Sequence, residues 1–406
     1  MISFLAILLT LVVLLLSLTQ TLLVIQYYWF HRDAQTEIES PVEPENFPKA
    51  AIILCLRGHE ESTPECIAEL IGQDYPDYQL HIAFDSPDDP AAKQVEDFFE
   101  SHNSNVHLHF FEPQADCSYK CSGIVHVLDQ LSDDVEIVAF CDGDAIVDVN
   151  WLRDLAIPMM QDASIGATTG NRWFAPYNHS IGALIRKHWN AAAVVQMQAY
   201  DIAWGGSMAV RKSTIERCNL REHWQTTFCE DTVITNLMKQ QGLRLHRVPN
   251  LVVENREATT LSDCFEWIAR QLLTVRLHHP GWPLVLGHGV ATGLATIVAP
   301  IAAVLMFATG YTFAGRSVFI IWMVYQILNL VLLWVIERCN LAAIAQRNAS
   351  EVVQSAPSSD MSLLALPGVQ ILHPLAVLKA FFMSTVKWRG VTYAIDANRV
   401  RVKESE

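Results

Sequence analysis

"IVAFCDGDAIVDVNW", residues 137–151, decides how this chain reads. An apolar run ends in Asp142 and Asp144, one residue apart, with only Gly143 between them. In an extended backbone residues i and i+2 point to the same side, so the spacing predicts two carboxylates facing one point. The glycine lets a ligand approach the backbone closely. Two carboxylates together with phosphate oxygens suit a hard divalent cation, and such a cation neutralises a departing diphosphate. The pair reads as a handle for Mn2+ or Mg2+ and a diphosphate. A single aspartate after a strand is commonly a helix cap; the paired spacing is what points to a ligand.

Outward from this stretch, short β-like runs alternate with helical ones. Residues 51–57, 79–84, 106–111 and 135–140 read as strands, and 66–73, 91–102, 120–131 and 151–161 as the helices between or after them. That alternation predicts βαβ units, an α/β domain with a mostly parallel sheet covered on both faces. Ligands of such sheets bind beyond the carboxyl ends of the strands. Arg57, Asp85 and the Asp142–Asp144 pair then share one rim.

Three further stretches carry polar chemistry. "WGGSMAVRKS" (204–213) is either a tight turn between strands or a loop, Trp204–Gly205–Gly206, whose backbone closes on a sugar. "TTFCEDTVITNLMKQQG" (226–242) begins a predicted helix with Glu230 and Asp231 near its N-terminus. Acids there are favoured by the helix dipole, and a carboxylate so placed can also take a proton from a hydroxyl. "DCFEWIARQLLTVRLHHP" (263–280) is helical and sets Arg270, Arg276, His278 and His279 ahead of an apolar stretch, with Arg270 able to face a phosphate or sugar.

The chain is 51% hydrophobic over 406 residues, too apolar for an ordinary soluble enzyme. Residues 1–30 carry no Asp, Glu, Lys or Arg. They are long enough to cross a bilayer, lack the basic start and cleavage site of a signal peptide, and end in an interfacial Tyr27–Tyr28–Trp29 belt. Residues 284–311 and 318–336 read as a transmembrane hairpin. Pro367, Pro374 and Lys379 interrupt residues 363–386, which read as broken, re-entrant or surface-lying. Arg32, Lys49, Arg338 and Arg347 place the catalytic domain in the cytosol. A formal net charge of −15 argues against nucleic acid as a partner. Nine cysteines without zinc spacing fit free thiols of a reducing compartment.

In this order the motifs resemble those of the membrane-bound family 2 glycosyltransferases, most closely the ceramide glucosyltransferases. "FDSPDDPA" (84–91) resembles the first aspartate motif and "FCDGDAIV" (140–147) the DxD motif. "GGSMAVRKS" (205–213) resembles the loop lining donor sugar and acceptor, and "CEDT" (229–232) the segment carrying the general base. "EWIARQ" (266–271) stands in place of (Q/R)xxRW, and "VKWRGVTY" (386–393) resembles a tryptophan–arginine motif. Two positions depart from the pattern: Trp267 replaces Gln or Arg, and Gln271 replaces the Trp that packs a growing polymer in processive synthases. "LRGHEE" (56–61) also differs from the commoner asparagine-containing segment.

The resemblance implies a GT-A-like nucleotide-sugar domain plus transmembrane helices. It implies inverting transfer of a hexose, glucose foremost, from a UDP-sugar to a hydroxyl on a membrane lipid. Asp231 would be the base and Arg270 its catalytic companion. Arg57, Asp85, Lys120, Asp142 and Asp144 would bind the donor, with Mn2+ or Mg2+ on Asp144 and Asp142. Trp204, Gly205, Gly206, Glu230 and Gln271 would meet sugar or acceptor. Lys120 can equally be a helix-surface lysine. The expected organisation is a transmembrane helix (1–30), a linker (31–48), a cytosolic catalytic domain (49–257) and an interfacial amphipathic helix (258–283). A transmembrane hairpin (284–338), a polar loop (339–362) and a re-entrant or interfacial segment with a cytosolic tail (363–406) follow. A processive polysaccharide synthase and an inactive nucleotide-sugar-binding scaffold are the alternatives.

Overall fold

A computed structural model describes residues 2–34, 46–99, 105–176, 180–347 and 359–403. The catalytic half alternates strand and helix: β1 (Ala50–Cys55), α2 (Thr63–Ile71), β2 (Tyr78–Phe84), α3 (Pro90–Phe99), β3 (Val106–Phe110), α4 (Tyr119–Leu128), β4 (Ile137–Cys141) and α5 (Trp151–Gln161). Then come β5 (Ile165–Phe174), α6 (Ile181–Tyr200), β6 (Ser207–Arg211), α7 (Lys212–Arg217), α8 (Leu220–Trp224), α9 (Ile234–Gln240) and β7 (Arg244–Asn255). The seven strands form one sheet in the order β3-β2-β1-β4-β6-β5-β7. Among them β6 runs antiparallel to both neighbours while the other pairings are parallel.

Successive side chains of a strand point to opposite faces, and β1 shows the consequence. Ala50, Ile52 and Leu54 enter a core with α2, α3 and α5, whereas Ala51 and Ile53 enter another with α4, α7, α8 and α9. Emptying one such site, as Leu54→Ala would, costs about 2–5 kcal/mol. Two covered faces explain why the strands are continuous apolar runs rather than alternating ones.

The membrane half begins with α1 (Ile2–Ala34) and resumes after α10 (Leu261–His278). It comprises α11 (Trp282–Gly293), a π-helical turn (Leu294–Val298), α12 (Ala299–Ala308), α13 (Thr312–Arg347) and α14 (Ser359–Phe382). Among the described residues four helical stretches, Ile2–Asp33, Trp282–Ala308, Thr312–Arg347 and Ala365–Phe382, are long and apolar enough to cross a membrane. Leu15, Val304, Ile320 and Ile327 are exposed on them, as lipid-facing residues should be. The expected break at Pro367 and Pro374 does not occur, because both prolines are carried inside the continuous α14. α13 also runs on to Arg347 into the expected polar loop, of which 348–358 lie outside the described residues. Most of the expected linker, 35–45, lies outside them too.

α6, between the two halves, buries a polar set. Lys187 Nζ meets Glu337 of α13 at 2.8 Å, and Arg186 meets Glu257 at 2.8 Å. Arg347, at the end of α13, pairs with Asp148 and Asp154 of the catalytic half, each at 2.5 Å. The tail after α14 folds into a second, antiparallel sheet: β8 (Thr385–Trp388), β9 (Val391–Asp396) and β10 (Arg399–Val402). Val386, Tyr393, Ile395 and Val400 pack it onto Phe228 and onto Leu273 and Leu277 of α10.

Candidate active site

β1, β2 and β4 are parallel neighbours and end at one rim. Antiparallel β6 begins there, since Ser207 pairs with Cys141. The rim therefore collects Arg57, Asp85, Asp142 and Asp144 with the Trp204–Gly206 loop around a cavity of about 170 Å³. Lys120, Glu230, Asp231, Arg270 and Gln271 line the same cavity.

Asp142 and Asp144 converge for a different reason from the expected strand alternation. The 142–145 segment is a turn, closed by the Ala145 N–H on the Asp142 carbonyl at 3.1 Å. Asp142 Oδ1 receives Lys120 Nζ at 2.5 Å, and Asp144 Oδ2 receives Asn255 Nδ2 at 2.7 Å. Lys120 reaches Glu230 Oε1 as well, at 2.7 Å. It is a buried charge between two carboxylates rather than a helix-surface lysine. Burial opposes its charge, but Asp142 and Glu230 outweigh that and hold its pKa well above the ordinary lysine value. Burial likewise works against the Asp142 carboxylate, yet Lys120 holds its pKa low. Among the described residues no cation is in ion-pair contact with Asp144, and Arg172 and Arg389 act on it only from farther away. Burial, then Asp142 and Glu257, push its carboxyl up. Burial and Asp144 raise that of nearby Glu60 to about 7.

Among the described residues no group of three His, Cys, Asp or Glu side chains forms a metal cage. The donor set present is two oxygen-bearing side chains open to a cavity, with uncompensated carboxylate charge around Asp144. It fits a hard cation whose remaining ligands come from a diphosphate.

Asp231 and Glu230 precede α9, which starts at Ile234, instead of occupying the expected first helical turn. Asp231 Oδ2 accepts from the Gly205 N–H and Oδ1 from the Thr232 hydroxyl, both at 2.9 Å. This fixes the carboxylate in orientation while leaving lone pairs for a ligand. A Cβ on Gly205 would overlap the Glu230 carboxylate, and one on Gly206 would stand 2.5 Å from Asp142 Oδ2, so a side chain at either position would have to displace those groups. Arg57 forms an ion pair with Asp85 and lies 4.9 Å from the Tyr119 ring. The other Asp85 oxygen is buried without a partner among the described residues. Arg270 lies 5.0 Å from the Trp388 ring. Burial, with Arg389 and Arg172 nearby, lowers its pKa to about 10.

Sequence reading missed Arg172, Glu60 and the side chains of Trp388 and Arg389, all of which line the cavity. Arg172 lies on the rings of Trp267, Phe174 and Trp204, at 4.8, 5.0 and 5.3 Å. Its strand, β5, begins "IGATTG", too rich in small residues to announce itself as β.

A second cavity, of about 150 Å³, opens between α1, α6, α10, α11, α13 and α14. Gln20, His188, Gln196, His288, Gln370 and His373 are among its polar lining residues. Arg172, Trp204, Asp231, Gln271 and Thr274 belong to both cavities, so the two meet at Asp231.

Comparison with solved structures agrees with this architecture. A mannosyltransferase from Pyrobaculum calidifontis, in complex with GDP-Man and Mn2+, aligns over 92% of this chain and 99% of its own, with a TM-score of 0.50 and 17% identity. GalNAc-T7 with UDP, GalNAc and Mn2+ aligns over 59% of this chain and 49% of its own, at a TM-score of 0.39 and 12% identity. Glucosyl-3-phosphoglycerate synthase from Mycobacterium tuberculosis, with Mn2+ and UDP-glucose, covers 58% and 84%, at 0.38 and 12%. At such identities the first likeness shows the fold alone, a GT-A-like one. No curated protein sequence matches the chain. Where the motif order resembles family 2, and most closely the ceramide glucosyltransferases, the family profile that matches is Glycosyl transferase family 21, over residues 8–400. The chain belongs to that family and is a glycosyltransferase.

Proposed function

We propose that this glycosyltransferase moves a hexose from a UDP-sugar, with inversion, to a hydroxyl of a membrane lipid. UDP-glucose is the donor to test first and a ceramide-like lipid the first acceptor. One observation carries the reading: Asp231 stands where the charged cavity at the strand ends meets the cavity between the membrane helices. A base at that junction faces a sugar donor on one side and a bilayer-derived acceptor on the other.

Asp144, helped by Asp142, would hold Mn2+ or Mg2+. Bound there, the cation would supply charge neutralisation for the departing diphosphate. Asp231, oriented by Gly205 and Thr232, takes the proton of the acceptor hydroxyl as that oxygen attacks the anomeric carbon. Arg270 faces the departing diphosphate. Arg57, Asp85 and Lys120 bind the donor, the free Asp85 oxygen accepting from a nucleoside N–H or hydroxyl. Trp204, Gly205, Gly206, Glu230 and Gln271 position sugar and acceptor. Basic residues flanking the apolar helices, Arg32, Lys49, Arg338 and Arg347, support a cytosolic side for the catalytic half.

The test is UDP release by the purified full chain in detergent, with UDP-glucose, Mn2+ and lipid acceptors, and mass spectrometry of the lipid product. Asp231→Asn should cut turnover about 10²–10⁴-fold while UDP binding survives; retained turnover removes Asp231 from the base role. Polymer formed without lipid would favour a processive synthase, and no turnover with any donor a binding scaffold.

A further inference from the structure

The tail sheet does more than cover α10. Its first hairpin turns through Arg389 and Gly390, whose φ angles are +49° and +79°. Two left-handed residues make the tight hairpin turn that favours Asn-Gly. An arginine in the first of these positions is conformationally costly, and residues held in such regions gather at functional sites. Its backbone is also gripped. The Arg389 carbonyl accepts from Arg57 Nε at 2.8 Å, and Arg57 in turn pairs with Asp85. Its neighbour Trp388 lies on Arg270 and, 5.6 Å away, edge-on to Phe228. An indole therefore covers Arg270 although the residue that follows it in sequence is Gln271. The Arg389 side chain enters the cavity and pairs with Glu60. Asp144 attracts it from the same side.

We propose that Arg389 binds the donor diphosphate and the leaving group opposite Arg270, so that the donor site is a composite of catalytic sheet and tail. This rests on the nucleotide-sugar reading above. As the bond from the anomeric carbon to the diphosphate oxygen breaks, the acceptor oxygen bonds to that carbon and its proton passes to Asp231. The electron pair of the broken bond stays on the terminal phosphate. The Arg389 guanidinium donates N–H groups to that phosphate and gives up no proton; Glu60 is the carboxylate with which it pairs. A planar, permanently charged fork suits a phosphate.

The test is titration of the full chain in detergent, with Mn2+, by UDP and by uridine. Arg389→Ala should weaken UDP binding roughly 10- to 100-fold, as loss of charge-assisted hydrogen bonds does, and leave uridine binding unchanged. Arg389→Lys should recover part of the loss. Arg401→Ala, which removes only the exposed pair with Asp116 on the far side of the tail, should change neither. Equal losses for UDP and uridine, or an equal loss from Arg401→Ala, would make Arg389 a purely structural tie and overturn the proposal. Unchanged UDP binding by Arg389→Ala would overturn it as well. Failure of the unaltered protein to bind UDP would instead sink the donor reading on which it depends.

Discussion

On one side of Asp231 the chain gathers charge, and on the other it gathers neutral polarity. The cavity at the strand ends carries Asp85, Asp142, Asp144, Glu230, Lys120, Arg57, Arg270 and Arg389. Part of that charge is matched, as in Lys120 between two carboxylates, while carboxylates remain in excess around Asp144. The cavity between the helices offers imidazoles and amides. His288 bridges Gln20 and Gln196 at 3.3 and 3.4 Å, and Trp189 donates to His373 Nδ1 at 3.2 Å. Several polar groups here, among them His373 Nε2, Gln370 Nε2 and Thr292 Oγ1, are buried without a partner among the described residues. Unpaired buried charge is far costlier than an unpaired amide or imidazole. The difference teaches that most charged side chains gather in the cavity at the strand ends, with Arg172 and Asp231 shared where the two cavities meet.

Three perturbations sharpen or break this contrast. Lys120→Met leaves Asp142 and Glu230 buried together without their cation. Removing one partner of a buried pair costs about 3–5 kcal/mol, so thermal unfolding in detergent should move sharply down and UDP binding should fall. An unchanged melting curve would mean that the charged side is not electrostatically matched. A smaller effect comes from His278, whose Nε2 accepts the Phe228 N–H at 3.0 Å. Burial lowers its pKa from 6.5 to about 4. Its folded value lies below its unfolded one, so its contribution is complete above pH 6.5 and is lost as pH falls towards 4. The loss is at most about 3 kcal/mol. Melting measured across that range should show it, and His278→Gln should flatten the slope. The smallest change is expected on the neutral side. His373→Phe should raise the acceptor KM roughly 10-fold, one charge-free hydrogen bond's worth, with UDP affinity untouched. Equal damage to UDP binding would erase the division between the cavities.

The same contrast governs what can be read without coordinates. Arg57, Asp85 and Asp142 are legible because strand ends are marked locally, by apolar runs that stop at a polar residue. Parallel topology then brings them together. Gly205 and Gly206 are legible as a loop, but the reason for glycine, the overlap of a Cβ with Glu230 or Asp142, is set by residues far along the chain. α6 goes unread as a connecting layer. Its buried Arg186, Lys187, His188 and Asn190 look like a solvated face until Glu257 and Glu337 arrive to pair with two of them. The helix-lined cavity is likewise a product of assembly, with one or two polar residues from each of several helices. The tail's Trp–Arg pair is visible as a motif, yet its reach to Arg270 and Glu60 depends on a hairpin packed against α10. α14 stays helical through two prolines, although Pro inside a helix normally marks a break.

The ion pairs that bolt α13 to the catalytic half carry a mechanical consequence. With Lys187 fastened to Glu337, and Arg347 to Asp148 and Asp154, the reaction centre is held at one height along α13. Under the lipid-acceptor reading proposed above, selection among acceptors becomes a matter of altitude. A hydroxyl just above the acyl chains would come level with Asp231, while one on a long polar stalk would overshoot it.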